Sequence, residues 1–465
     1  MMTPPHIPTK MLSMKLFRSP LFWILLVVVA EWIVHFSLWS TPCLEHHGAD
    51  PRSYVKASHT IGNVLSGDVD IQRTPVYPAF IAFCRLIAGE KNALVLTVIG
   101  QRIISILALL PLYYICRFFF KTKFLPAVAT SFYAALIIGS GYLSGRGDRF
   151  DTWIMTESLS MSLSIFFFYF LIGYAQKATY LKAIMIGLTV FVLAMLRPAF
   201  LVFLPIVFLY WLGQLVFFRG QWKQDVAGLL TVCLSVLLLF GYSHLVYLKC
   251  GIAHISVIAV YNQFMCVIQS GITQHGADTK INNRIQECLE NFKKEYPEKI
   301  KNPNWMFDRE VDALDSPLGY VRRTYPFSSL AGSNIDKVIQ NKDEPIPMKM
   351  MQDYTSATLK MNKMAYARYV IKKCFWVAFS EIRVGAIYVV LAINAVLWLP
   401  LSIRQDKIGS WLHLIGMMLT FTMIFASMAA SFSSYGRIIL PVLPLAIVLG
   451  FMIMDKIWLV AIPRR

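Results

Sequence analysis

Residues 226–248, VAGLLTVCLSVLLLFGYSHLVYL, contain no Asp, Glu, Lys or Arg. As an α-helix, a stretch of this length would extend about 35 Å, more than the roughly 30 Å hydrocarbon core of a bilayer. This stretch therefore predicts a membrane-spanning helix. Nine other apolar stretches predict spans of the same kind: 20–39, 97–117, 125–143, 154–175, 180–196, 199–217, 382–402, 409–430 and 437–458.

The composition of the 465-residue chain supports the same fold class. It is 57% hydrophobic and only 15% charged, whereas an ordinary soluble domain carries about 25% charged residues. The formal net charge is +18, but much of this excess lies in short loops between apolar runs. Such a distribution is typical of membrane topology and not of a basic nucleic-acid groove. The sequence thus predicts an all-α polytopic integral membrane protein without a nucleic-acid partner.

The positions of the loop cations predict the orientation. Cytoplasmic loops of membrane proteins carry an excess of Lys and Arg. One set of connections between the apolar stretches is rich in cations and contains only three acidic residues, Asp225, Asp406 and Asp455. Its cations are Lys10, Lys15, Arg18, Arg117, Lys121, Lys123, Lys177, Lys182, Arg219, Lys223, Arg404, Lys407, Lys456, Arg464 and Arg465. Placing this set inside puts both termini in the cytoplasm. The expected location is a cell membrane, with the bacterial inner membrane as the favoured one.

Residues 75–89, PVYPAFIAFCRLIAG, are apolar but too short to span comfortably. We interpret them as a juxtamembrane or re-entrant helix at the interface. Three outer segments follow from this topology: 40–96, 144–153 and 249–381. The chain then divides into a membrane module (1–248), an outer region of helices and irregular loops (249–381) and C-terminal spans (382–465). Within the outer region, 281–299 and 355–374 are expected to be helical, and KNPNW and NKDEPIP to be loops.

Acidic residues at the outer side are the first candidates for chemistry. Asp50 lies in the first outer loop, and a carboxylate near the bilayer surface can act as a general base on a hydroxyl. Because Asp50 precedes Pro51, it is also a candidate helix N-cap. Asp151 and Glu157 lie at the start of another span. Asp148, in the same loop, is an alternative candidate for the same acidic role. Glu157 lies inside an apolar run, so a functional role is the first hypothesis; the alternative is that these residues only cap and charge the helix start.

Three arginines at outer helix ends are the second group of candidates: Arg73, Arg197 and Arg437. A guanidinium binds phosphate through two parallel hydrogen bonds. Cations at the outer edge of the membrane are unusual, because Lys and Arg are enriched on the cytoplasmic side. A role in binding is one explanation for them, and snorkelling of the side chain to the interface is the other. A structural metal at His46-His47 is disfavoured, because no third ligand has suitable spacing.

The order of several short motifs resembles the glycosyltransferase C superfamily, in particular bacterial aminoarabinose transferases and dolichyl-phosphate-mannose–protein mannosyltransferases. The resemblance covers about residues 20–217 and 430–458. It rests on these motifs in sequence: Asp50-x-x-x-Tyr54 after the first span, RTPVYPAF at 73–80, the basic turn from Arg117 to Lys123, MTESL at 155–159, and Tyr435-Gly436-Arg437 followed by Pro441 and Pro444.

This resemblance implies a polyprenyl-phosphate-linked sugar as donor and a hydroxyl on a glycan, lipid or protein as acceptor. By resemblance, Asp50 would deprotonate the acceptor, with inversion at the anomeric carbon. Glu157, with Asp151, would orient the acceptor or hold a metal, for which Asp50 and Glu157 are the candidate ligands. A divalent cation is compatible with the family, but the sequence does not require one. The expected donor-binding residues are Tyr54, Arg73, Arg197 and Arg437, and membrane lipid is a further expected partner.

Two other functions remain open at this point. A polysaccharide polymerase or ligase also uses lipid-linked sugars, and its key residues would lie in the late outer segment, at Arg322, Arg323 or His275. A transporter or flippase would place charged residues or broken helices near the bilayer midplane. Arg102 and Glu31 are the strongest candidates for such a role, but both lie away from the predicted helix centres.

Overall fold

The computed structural model describes residues 19–34, 42, 50–63, 73–143, 153–217, 221–301, 347–380, 382–404, 407–430 and 440–461. Within these ranges the chain forms helices and turns and contains no β-strand. The prediction of an all-α protein is therefore confirmed for the described part of the chain.

The α-helices are numbered here in chain order. The first eight are α1 (Pro20–Val34), α2 (Asp50–Thr60), α3 (Val76–Phe119), α4 (Leu125–Leu143), α5 (Thr156–Gln176), α6 (Tyr180–Leu196), α7 (Phe203–Phe217) and α8 (Trp222–Cys250). The others are α9 (Val257–Gln269), α10 (Thr279–Glu295), α11 (Met348–Met361), α12 (Lys363–Ser380), α13 (Ile382–Arg404), α14 (Lys407–Ala430) and α15 (Leu443–Ala461).

Each of the ten predicted spans overlaps a helix in the described residues, but fewer helices meet the requirements for crossing a membrane. In the described ranges, six are long and apolar enough, and a seventh results if α12 and residues 384–397, bent by 109°, form one span. The apolar parts of α1, α4 and α6 are shorter; α1 has 15 residues, a length of about 22 Å. The long apolar helices indicate a multi-pass, membrane-embedded protein.

A break at Gly89 divides α3 into two parts. Gly89 has φ 72° and ψ 170°, a conformation that glycine adopts without the steric penalty of a side chain. The first part, residues 76–88, packs against α2: Arg85 Nη1 donates to the Ser58 carbonyl (3.0 Å) and Nη2 to the Ser58 hydroxyl (2.8 Å). The break separates the segment that we expected to be juxtamembrane from the apolar helix that follows it.

Helices α3, α5, α6 and α8 are successive neighbours in the bundle. The backbone of α6 approaches α8 closely at Gly187, where a Cβ atom would overlap Thr231. There the Ser235 hydroxyl donates to the Gly187 carbonyl at 3.1 Å. At the other side of the bundle, the Asp455 carboxylate of α15 accepts the backbone N–H groups of residues 121 and 122, at 3.0 and 2.9 Å. These two bonds attach the turn after α3 to α15.

The segment after α8 is built into the same hydrophobic core. Its predicted helices are present as α10, and as α11 and α12 on either side of Asn362. Helix α9, which the sequence analysis did not predict, is largely buried and packs on α11 and α14. Most of the expected loops KNPNW and NKDEPIP lie outside the described residues.

Candidate functional site

Glu157 and Arg197 form an ion pair at one end of the helical bundle. Glu157 lies in the first turn of α5 and is 1% exposed. Arg197 directly follows α6 and precedes Pro198, which disfavours helical backbone at this position; its φ and ψ are −146° and 124°. The chain therefore turns out of α6, and Arg197 Nη1 comes within 3.3 Å of Glu157 Oε1.

The segment that contains Arg73 lies beside this ion pair. The Thr74 hydroxyl donates to the carbonyl of Leu196 at 3.0 Å, although 122 positions separate them in sequence. Arg73 Nε donates to the Ser53 hydroxyl at 2.7 Å, and its guanidinium lies 4.6 Å from the centroid of the Tyr54 ring. This distance is within the range of a cation–π contact. Arg73 and Thr74 together join the start of α2 to the end of α6.

A buried tyrosine connects these contacts to the rest of the bundle. The rings of Tyr54 and Tyr77 meet edge to face with centroids 5.0 Å apart. The Tyr77 hydroxyl donates to Gln101 Oε1 at 2.5 Å, and Gln101 Nε2 donates to the carbonyl of Trp153 at 3.0 Å. We call the group formed by Tyr54, Arg73, Tyr77, Glu157 and Arg197 the α5-start cluster.

A second ion pair lies deeper in the bundle. Arg102 is 1% exposed, its Nη2 is 2.8 Å from Glu31 Oε2, and its guanidinium lies 5.6 Å from the Trp32 ring centroid. One turn further along α3, the hydroxyls of Ser105 and Ser158 are 3.2 Å apart. The two residues that the sequence analysis considered for a transporter therefore bind each other.

The structure brings together four of the seven expected site residues: Tyr54, Arg73, Glu157 and Arg197. Asp50 is the first residue of α2, and its side chain lies outside the described part of the structure. Both of its proposed roles therefore stay predictions. Asp151 and Arg437 also lie outside it, as does Asp148. The N-cap of α5 is Met155, which makes no side-chain capping bond, and Glu157 pairs with Arg197. Specific contacts to Arg73 and Arg197 explain their positions better than snorkelling alone.

Sequence reasoning missed Thr74, Tyr77 and Gln101. Thr74 and Tyr77 belong to the RTPVYPAF segment that was singled out, yet no pattern within that segment indicates their partners. Gln101 offered a stronger signal, since an amide inside an apolar run needs a hydrogen-bonding partner. The sequence is compatible with a divalent cation without requiring one, and this stays untested. The described residues contain no group of three or more His, Cys, Asp or Glu side chains arranged for a metal.

The α5-start cluster combines two guanidinium groups with a carboxylate and two phenol rings at the edge of an apolar bundle. Each guanidinium has five N–H donors in a planar arrangement that matches a phosphate or carboxylate. Such an arrangement is suited to an anionic group, because charge-assisted bonds strengthen where water is excluded. An apolar substituent on that anion would lie against the helices of the bundle.

No family model, curated protein sequence or solved structure matches the chain.

Proposed function

We propose that the protein is a glycosyltransferase that moves a sugar from a polyprenyl-phosphate donor to an acceptor hydroxyl on the extracytoplasmic face of the membrane. The observation that carries this proposal is the α5-start cluster. It joins the buried Glu157–Arg197 pair to Arg73 and to the first turn of the helix that Asp50 begins.

In the proposed reaction, the acceptor oxygen attacks the anomeric carbon while the bond between that carbon and the phosphate oxygen breaks. Asp50 takes the acceptor proton as general base, and the configuration inverts. The polyprenyl phosphate leaves with the electron pair. Because a phosphate is stable as an anion, cationic groups can stabilise it without a general acid. Arg73 and Arg197 supply this positive charge, with Arg437 as a third candidate.

Glu157 has a positioning role in this scheme. Its carboxylate is within 3.3 Å of Arg197 Nη1, so its charge keeps the guanidinium at this end of the bundle, where preorganised electrostatic stabilisation requires it. The family resemblance also suggests that Glu157, with Asp151, orients the acceptor or binds a divalent cation. Tyr54 completes the donor side, since its ring packs under Arg73.

The setting is compatible with a lipid-linked donor. Nucleotide sugars are absent outside the cytoplasm, and the apolar bundle offers a surface for the polyprenyl chain. The loop cations favour an orientation in which the α5-start cluster faces outward. We therefore propose the periplasmic face of a bacterial inner membrane as the location and a cell-envelope glycan, lipid or protein as the acceptor.

The test is Asp50→Asn, expressed at the wild-type level in a null strain. Asp353→Asn, an exposed position on α11, is the matched control. Mass spectrometry of envelope glycans and lipids should show the loss of one sugar and the accumulation of its polyprenyl-phosphate donor for Asp50→Asn only. Full activity in Asp50→Asn would refute the mechanism. Full activity in Asp50→Asn with a loss in His275→Ala would favour a polymerase.

A further inference from the structure

A groove opens where α3 and α5 end and α6 begins. Its volume is about 330 Å³. The lining combines aromatic rings with cationic and amide side chains, principally Tyr114, Arg117, Phe118, Tyr169, Gln176 and Lys182. We call it the α3–α5 groove. It lies at the opposite end of α5 from Glu157, so it is separate from the α5-start cluster.

The positive charge of the groove comes from Arg117 and Lys182. The Arg117 side chain is exposed in the last turn of α3, and no carboxylate in the described ranges forms an ion pair with it. Lys182 is more constrained, because its ammonium donates to the carbonyls of Gly173 (2.6 Å) and Lys177 (3.0 Å). These bonds satisfy carbonyls at the end of α5. An ammonium has three donors, so Lys182 retains one for a ligand.

An apolar surface leads along α3 to this cationic end. Ile103, Leu107 and Tyr114 are 43%, 48% and 51% exposed. With Arg117 they follow spacings of four, seven and three residues, which place them on one face of the helix. Leu107 and Arg117 are about 15 Å apart along the axis, close to half the roughly 30 Å hydrocarbon core. One leaflet of a bilayer therefore fits between them.

We propose that the α3–α5 groove binds the headgroup of an anionic phospholipid, with Arg117 on the phosphate and an acyl chain along the face of Ile103 and Leu107. The groove and this lipid are complementary: the guanidinium can bind the phosphate, Tyr114 and Tyr169 are residues typical of the interfacial layer, and the apolar face can contact the acyl chain. A free phosphate would use the cation but not the apolar face. The loops at this end are the cation-rich ones, where anionic lipids of the cytoplasmic leaflet are attracted.

The test uses purified full-length protein in detergent, titrated with phosphatidylglycerol and followed by native mass spectrometry. Phosphatidylcholine with the same acyl chains and glycerol phosphate are the comparison ligands. Arg117→Gln should weaken phosphatidylglycerol binding by about tenfold or more. Lys123→Gln removes an exposed cation from the same end without touching the groove, and it should leave binding within about twofold of the wild type.

Arg117→Lys keeps the charge but loses the planar, two-pronged geometry, so its affinity should fall between those of the wild type and Arg117→Gln. This variant also serves if Arg117→Gln does not fold, which thermal unfolding would reveal. Wild-type affinity in every Arg117 variant that folds would overturn the proposal. An equal loss in Lys123→Gln would overturn it as well, as would equal binding of phosphatidylcholine. Equally tight binding of glycerol phosphate would show a phosphate site and not a lipid site.

Discussion

Replacing Arg197 by Gln should destabilise the protein more than replacing its partner Glu157. The Glu157 side chain is 1% exposed and the Arg197 side chain 13%. At 3.3 Å, the attraction between the two charges is about 5 kcal/mol for an effective dielectric constant of about 20. Desolvation offsets much of this gain, but Arg197→Gln leaves a buried carboxylate without its cation. Removing one partner of a buried pair typically lowers the free energy of unfolding by about 3–5 kcal/mol.

The opposite variant, Glu157→Gln, leaves the more exposed Arg197, which water can reach. Its expected cost is about 1–2 kcal/mol, between the values typical of exposed and buried ion pairs, because the remaining cation is partly exposed. The double variant Glu157→Gln/Arg197→Gln contains no unpaired charge. It should therefore be more stable than Arg197→Gln alone, with a coupling free energy of at least about 2 kcal/mol.

The assay is the free energy of unfolding of the purified full-length protein in mixed micelles, measured for the wild type, both single variants and the double variant. These four values form a double-mutant cycle, which isolates the pairwise energy. An Arg197→Gln variant within about 1 kcal/mol of the wild type would refute the reasoning. So would a double variant whose loss equals the sum of the single losses, because the two residues would then act independently.

Gly228→Ala should lower the thermal midpoint by the equivalent of about 1–3 kcal/mol, because the added Cβ would overlap the buried Trp211 indole. Gly241→Ala, in the same helix but with nothing within 4 Å of the added atom, is the control and should be neutral or stabilising; equal losses would contradict this. Burial lowers the pKa of His254 below 6.5, and its Nδ1 accepts the Ser256 N–H at 3.2 Å. Its contribution to stability is therefore complete above pH 6.5 and is lost as pH falls through the lowered pKa. His254→Gln should flatten that part of the pH–stability profile, and an unchanged profile would rule out His254 as the cause.

Helix positions in the membrane part were predictable because long apolar runs leave few alternatives. A backbone in hydrocarbon must satisfy its own hydrogen bonds, and a helix does so within one segment. Helix α9 was missed for the complementary reason. It has 13 residues and includes Tyr261, Asn262 and Gln263, so neither its length nor its composition indicates a span. Its burial results from packing on α11 and α14, which no local pattern encodes.

The candidate site was predictable only in part. Glu157 and Arg197 each attracted attention singly, since a charge within or beside an apolar run is costly. Their pairing depends on the tertiary packing of α5 against α6. The same holds for the Thr74–Leu196 bond, whose partners are 122 positions apart, and for Arg102 and Glu31, which are 71 positions apart. Composition therefore indicates which residues need partners, and packing determines which partners they find.

The two ends of α5 show why counting cations predicts orientation better than it predicts sites. At the Glu157 end, two of the described cations are engaged: Arg197 pairs with a buried carboxylate, and Arg73 contacts a hydroxyl and an aromatic ring. At the other end the cations are many, and Arg117 is exposed with no ion pair in the described ranges. A topology signal needs only net charge near the surface, so side-chain contacts do not matter to it. A site for a specific anion needs donors in defined positions. The Glu157–Arg197 pair and the α3–α5 groove are each defined by particular neighbouring side chains, and the number of cations at either end reveals neither of them.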